Sequence, residues 1–255
     1  MFWAPTRPDG RALAVVVAGL ALTAWLAILT WSASPFGRYL HHGSSEDPGV
    51  PVPTAAAVFV AGWTLMIVAM MLPTVYPLLA LFRGVVRRRS DRALLLSLCV
   101  AGYVVVWVVV GAVAFLADIG VHEIVERVPL ADQHPRVIGA AVLALAGAYQ
   151  FAPLKYRCLE RCRSPRMFVL RHWTGRRERL GALALGLDSG IYCVGCCWSL
   201  MLLMFAVGAG SVPWMLLLAT VMAVEKNVTW GERISRPLGT ALFVTAGLAA
   251  VLALV

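Results

Sequence analysis

Apolar positions along this chain come in long unbroken runs rather than in the alternation of a half-buried strand. Runs of about 20 apolar residues match the ~30 Å hydrocarbon core of a bilayer at 1.5 Å per helical residue. Seven are present, over residues 12–31, 54–82, 93–117, 137–154, 181–207, 212–230 and 238–255. The pattern predicts an all-α, polytopic transmembrane helical bundle of about seven spans, in a single domain over residues 1–255. The sixth run carries Glu225 and Lys226 and either includes them or stops before them. The first follows Arg7 and Arg11 and precedes the small residues Ser32, Ala33 and Ser34, flanks that also suit a signal peptide. Its length exceeds the roughly 7–15 residue apolar segment of such peptides, so a retained anchor is expected.

Composition agrees: 60% of residues are hydrophobic and 14% charged, against roughly 25% charged in a soluble domain. Mean hydropathy is +0.81. A soluble globule could not cover itself with so few polar groups. The net charge of +9 is distributed unevenly. If the N-terminus is cytoplasmic, 19 of the 22 Lys and Arg fall in inside segments, leaving only Arg38, Arg127 and Arg136 outside. The positive-inside rule then places the N-terminus in and the C-terminus out. Patches such as Arg87-Arg88-Arg89 read as orientation signals against the lipid bilayer. No aromatic-interleaved module accompanies them, so nucleic acid is not an expected partner.

Orientation changes the reading of the cysteines. All six (Cys99, Cys158, Cys162, Cys193, Cys196 and Cys197) are inside or within the membrane, away from the compartment where disulfide frameworks form. Three lie in Gly190-Ile191-Tyr192-Cys193-Val194-Gly195-Cys196-Cys197-Trp198-Ser199-Leu200-Met201. At 100° per residue, Cys193, Cys197, Met201 and Met204 fall within about 80° of one another, with Cys196 about 60° to the other side. Cys193 lies ~18 Å along the helix from the inner end of its run, near mid-bilayer. On the second run, Met66 and Met70 share a face with Pro73 at a similar depth. Soft sulfur from two spans suits Cu(I) better than hard cations, with Zn²⁺ a second option through thiolates. Plain core packing accounts for methionines equally well.

Cys158-Leu159-Glu160-Arg161-Cys162 lies just inside the fourth run. In a helix the two thiols share a face, beside Lys155, Arg157, Arg161 and Arg163, which suits a cytoplasmic metal hand-off or a redox pair. On the external loops, His41, His42, Glu46 and Asp47, and His122, Glu123 and Glu126, offer imidazole and carboxylate, although solvated loop positions are the simpler reading. Asp188, Glu225 and Lys226 are costly in lipid and should face protein or water, Glu225 and Lys226 neutralising one another or partnering Asp188.

Taken together, Met66 to Pro73, Tyr149-Gln150 through Pro153-Leu154-Lys155 to Cys158, Cys162 and Pro165, and Gly190 to Met201 followed by Trp214-Met215 and Glu225-Lys226 resemble a bacterial family. It is the predicted metal-binding integral membrane proteins, domain-of-unknown-function family 2182, for which copper-chaperone-like handling is the usual suggestion. The resemblance spans about Trp63 to Lys226, with Gly210 where the family usually has a further methionine. It implies a multi-pass protein of the bacterial inner membrane that binds a soft metal, Cu(I) first and zinc second. On that reading Cys193, Cys196 and Cys197 are primary ligands, Met66, Met70 and Met201 secondary, and Cys158 with Cys162 a relay. A metal donor or acceptor protein is the implied partner. Two other classes stay open: a membrane thiol-disulfide oxidoreductase using the Cys193-x-x-Cys196 spacing, and a non-catalytic subunit positioning a membrane complex. No Walker motif, nucleophile elbow or dinucleotide fingerprint is present.

Overall fold

The structure is a computed structural model describing residues 8–32, 51–127, 135–173, 177–207 and 211–254. All regular structure among these residues is helical. The α-helices are α1 (Pro8–Ser32), α2 (Val52–Met70), α3 (Tyr76–Val85), α4 (Arg92–Arg127) and α5 (Pro135–Tyr149), then α6 (Pro153–Arg163), α7 (Pro165–His172), α8 (Glu178–Val207), α9 (Val212–Asn227) and α10 (Ser235–Leu254). Short 3₁₀ turns at Leu72–Val75 and Gly231–Ile234 separate α2 from α3 and α9 from α10. Helices α2, α3, α6, α7 and α9 each carry proline at their first or second position, where the absent N–H is not missed and φ is preset.

Among the described residues five helices are long and apolar enough to cross a membrane, and six spans result if the bent pair α5–α6 is one. Three of the seven apolar runs therefore differ from continuous spans, each for an identifiable reason. The 54–82 run breaks after Met70, because Pro73 has no N–H to give the carbonyl of Ala69 and its ring crowds that carbonyl. The 137–154 run breaks at Ala152, which is extended (ψ 132°) before Pro153, as the residue preceding proline prefers. Helix α6 leaves at 63° to α5. The 212–230 run yields only the 16 residues of α9, and Val228 is extended (ψ 139°) beyond it. The chain then doubles back at Gly231, where a Cβ would strike the Val224 carbonyl.

Helices α4 and α8 run side by side in the same direction. Gly102, Gly186 and Gly190 allow the approach, since a Cβ at Gly186 would meet the Cys99 backbone and one at Gly190 the Val106 side chain. Small residues at membrane helix contacts act in this way. Beside their starting ends, Arg89 pairs with Asp91 at 2.8 Å and with Glu178 at 2.5 Å. One buried cluster joins α1, α2, α4, α5, α6, α8, α9 and α10 around the cysteines and methionines. A second joins α1, the Leu72–Val75 turn, α3, α7 and the first halves of α4 and α8.

Candidate metal centre

Cys193 sits at mid-length of α8, and Lys226 is the last charged residue of α9. Cys193 to Val207 and Val212 to Lys226 are each about fourteen residues, or ~21 Å of helix, so α9 carries Lys226 back to the level of Cys193. Lys226 Nζ lies 2.9 Å from Cys193 Sγ, 3.8 Å from Cys197 Sγ and 3.6 Å from Met71 Sδ. The Tyr103 hydroxyl of α4 is 2.9 Å from the same Cys193 sulfur. All five residues are buried. Met71 caps the C-terminal end of α2 just before the break at Pro73, and Lys226 stands where α9 ends.

A second pair stands beside it. Cys162 Sγ of α6 is 3.8 Å from Cys196 Sγ of α8. That is the separation of two thiolates on a tetrahedral ion with metal–sulfur bonds of roughly 2.3 Å. Cys196 and Cys197 donate to the Cys193 carbonyl at 3.1 and 2.9 Å. Cys158 faces α8 on the same side as Cys162 but packs against Gly195, where a Cβ would lie 2.5 Å from its sulfur. Met66, Met70 and Met201 are buried in the surrounding cluster together with Met204, Met215 and Met222. Cys99 belongs to the other cluster. Among the described residues no three His, Cys, Asp or Glu side chains form a single metal cage. The sulfur donors are arranged as adjoining small sets, with thioethers beside them.

The charged residues sort differently from the sequence expectation. Glu225 does not neutralise Lys226: its Oε1 accepts from Lys155 Nζ at 2.7 Å and from Ser235 Oγ at 2.6 Å. Lys155 also donates to Gln150 Oε1. Asp188 meets His172 at 2.9 Å and Arg171 at 3.5 Å, both on α7. Arg163 donates to the carbonyls of Glu225 (3.2 Å) and Thr229 (2.6 Å), tying the end of α6 to the end of α9. Lys155 and Arg163, two of the four cations flanking Cys158 and Cys162, thus have partners of their own.

Two cavities meet at the sulfur cluster. A small one of about 30 Å³, room for a water, is lined by Thr74, Tyr103, Cys162, Cys193 and Lys226 among others. An open one of about 460 Å³ is lined by Cys162, Arg163, Arg166, Met167, Lys226 and Thr229 among others. Cys162, Lys226 and Pro77 line both.

A cluster of four thiols, a thioether and a lysine in an apolar bundle is a soft-cation environment, and comparison with known families agrees. The family model described as PpoB2, copper chaperone, matches residues 60–249, about three quarters of the chain. The chain belongs to this copper-chaperone family. No curated protein and no solved structure matches it. For a copper chaperone the donor set is appropriate, since thiolate and thioether select soft ions.

Two members of the centre, Met71 and Tyr103, were not picked out from the sequence, and Lys226 was picked out as a charge needing a partner but not as a neighbour of the cysteines. Met71 lies off the helical face shared by Met66 and Met70, so their spacing does not group it with them. Tyr103 carried a signal, as a lone phenol within the apolar run 93–117. His41, His42, Glu46 and Asp47 lie outside the described residues, as do the side chains of His122, Glu123 and Glu126 and the position of Gly210.

Proposed function

We propose that this protein is a multi-pass inner-membrane copper chaperone that takes up Cu(I) at paired thiols of α6 and α8 and passes it to an acceptor protein. One observation carries the reading: four of the six cysteines, Cys162 with Cys193, Cys196 and Cys197, gather from two helices into one cluster in a member of a copper-chaperone family. Cys193, Cys196, Cys197 and Cys162 are the primary ligands. Met66, Met70 and Met201 supply thioethers around them, and Cys158 supports Cys162 by packing rather than by relaying the ion.

The rim of the larger cavity, with Arg163 and Arg166, lies in the arginine-rich segment that the positive-inside rule assigns to the cytoplasm. The ion therefore arrives from that side. Tyr103 and Cys193 lie ten and twelve residues into the 93–117 and 181–207 runs, ~15 and ~18 Å at 1.5 Å per residue, which supports a centre near mid-bilayer.

Elemental analysis of purified protein, wild type against the triple variant Cys193→Ser/Cys196→Ser/Cys197→Ser, tests the reading. Copper bound by wild type and lost from the variant is expected. Equal copper in both overturns it, and zinc in place of copper in the wild type overturns the choice of metal.

A further inference from the structure

The thiols form two sets that differ in what stands between them. Cys162 and Cys196 face each other at 3.8 Å, and Cys162 borders the open cavity. Cys193, Cys197 and Met71 instead surround the Lys226 ammonium, at 2.9, 3.8 and 3.6 Å. A unit positive charge already sits where three sulfurs converge. The same lysine lines both the small cavity beside Cys193 and the open one beside Cys162.

We propose that the centre holds two successive positions for a soft monovalent cation, a receiving pair of Cys162 and Cys196 and an inner set of Cys193, Cys197 and Met71, and that Lys226 is the gate between them. This rests on the copper reading above and specifies how that site is regulated. A metal cation and an ammonium cannot share the inner sulfurs, because like charges at van der Waals separation repel strongly in a low-dielectric interior. At the receiving pair the ion replaces the two thiol protons, which leave to solvent, and no oxidant or reductant is needed. The resulting bis-thiolate carries one negative charge, and the adjacent Lys226 ammonium balances it while keeping the inner set closed. Inward transfer requires the lysine to swing aside, and the open cavity that it borders gives it room. Glu225 does not draw it away, since that carboxylate is held by Lys155 and Ser235.

Loading with buffered Cu(I), followed by elemental analysis, reads the gate directly. Wild type and Lys226→Arg should hold about one copper per chain, and Lys226→Gln, which is neutral and brings no soft donor, about two, a roughly twofold rise. One copper in all three overturns the proposal. X-ray absorption of wild type at one copper per chain keeps the test independent of whether Lys226→Gln folds. Two sulfur neighbours are expected at the receiving pair, and three sulfur neighbours at the first equivalent overturn it. If the triple serine variant keeps its copper, the copper reading itself fails. If that variant loses copper while Lys226→Gln stays at one, only the gate fails.

Discussion

Lys155 and Lys226 are both buried, and both stand where a helix breaks or ends. Their surroundings have opposite chemistry. Around Lys155 every partner is oxygen: the Glu225 carboxylate at 2.7 Å and the Gln150 amide carbonyl, with Ser235 completing the carboxylate's shell. The polar partners found for Lys226 are sulfur. An ammonium paired with a carboxylate in low dielectric is a fixed element, because removing either partner strands a charge. An ammonium among thiols and a thioether leaves behind groups that tolerate burial as neutral species, so it can be replaced by another cation. The Lys155 site is thus built to stay, and the Lys226 site to exchange.

The largest test of that contrast removes each lysine. Lys155→Ala leaves the Glu225 carboxylate, 3% exposed, without its counter-charge and should cost about 3–5 kcal/mol. The double change Lys155→Met/Glu225→Leu should recover part of that loss, since it strands no charge, although the buried Ser235 hydroxyl and Gln150 carbonyl each lose a partner. Lys226→Gln should cost less than half as much as Lys155→Ala. Thermal unfolding in detergent by circular dichroism measures all three. Equal losses for Lys155→Ala and Lys226→Gln would remove the distinction between a fixed and an exchangeable cation.

Glycines sharpen it at intermediate size. Gly195→Ala drives a methyl toward Cys158 Sγ, 2.5 Å from the ideal Cβ, and pushes α6 off α8, parting Cys162 from Cys196. Gly239→Ala on the other side crowds Gln150 and Phe151 instead. Overpacking of either kind costs about 1–3 kcal/mol. Copper content should fall with Gly195→Ala and hold with Gly239→Ala, as measured by elemental analysis on folded fractions. A fall in both would mean that the two regions act as one unit.

How much of this was legible beforehand depends on which residues are considered. The helical class and most spans follow from unbroken apolar runs, which need no tertiary knowledge. Cys193, Cys196 and Cys197 were visible because a single helix holds them, so spacing alone gives their faces. The link from Cys162 to Cys196 depends on the 63° bend at Pro153. Pro153 was in plain view, but a proline announces a break and not its direction. The pairing of Glu225 and Lys226 failed for a related reason. Adjacent residues on a helix point about 100° apart, so each met a different neighbour, and those neighbours are set by how α6, α8 and α10 pack. Sequence separation of 70 residues between Lys155 and Glu225 is beyond any local pattern.

The smallest test separates partner chemistry from burial. Arg89 has oxygen partners like those of Lys155, Asp91 at 2.8 Å and Glu178 at 2.5 Å, but at the surface. The Arg89 guanidinium, hydrogen-bonded to Asp91, holds that carboxyl below its ordinary value of 3.8. A depressed folded value means that the stabilisation is present above the unfolded pKa and is lost as pH falls through the folded one. Asp91→Asn should therefore lower the unfolding temperature slightly at neutral pH, and the difference from wild type should close at pH values below 3.8. High salt should shrink the neutral-pH difference too, because exposed pairs are screened, while the Lys155→Ala loss should persist in salt. If Asp91→Asn matched Lys155→Ala at neutral pH, oxygen partnership by itself would make a cation structural. The expected gap assigns that role to burial, and it leaves Lys226, buried without a carboxylate partner among the described residues, as the exchangeable cation.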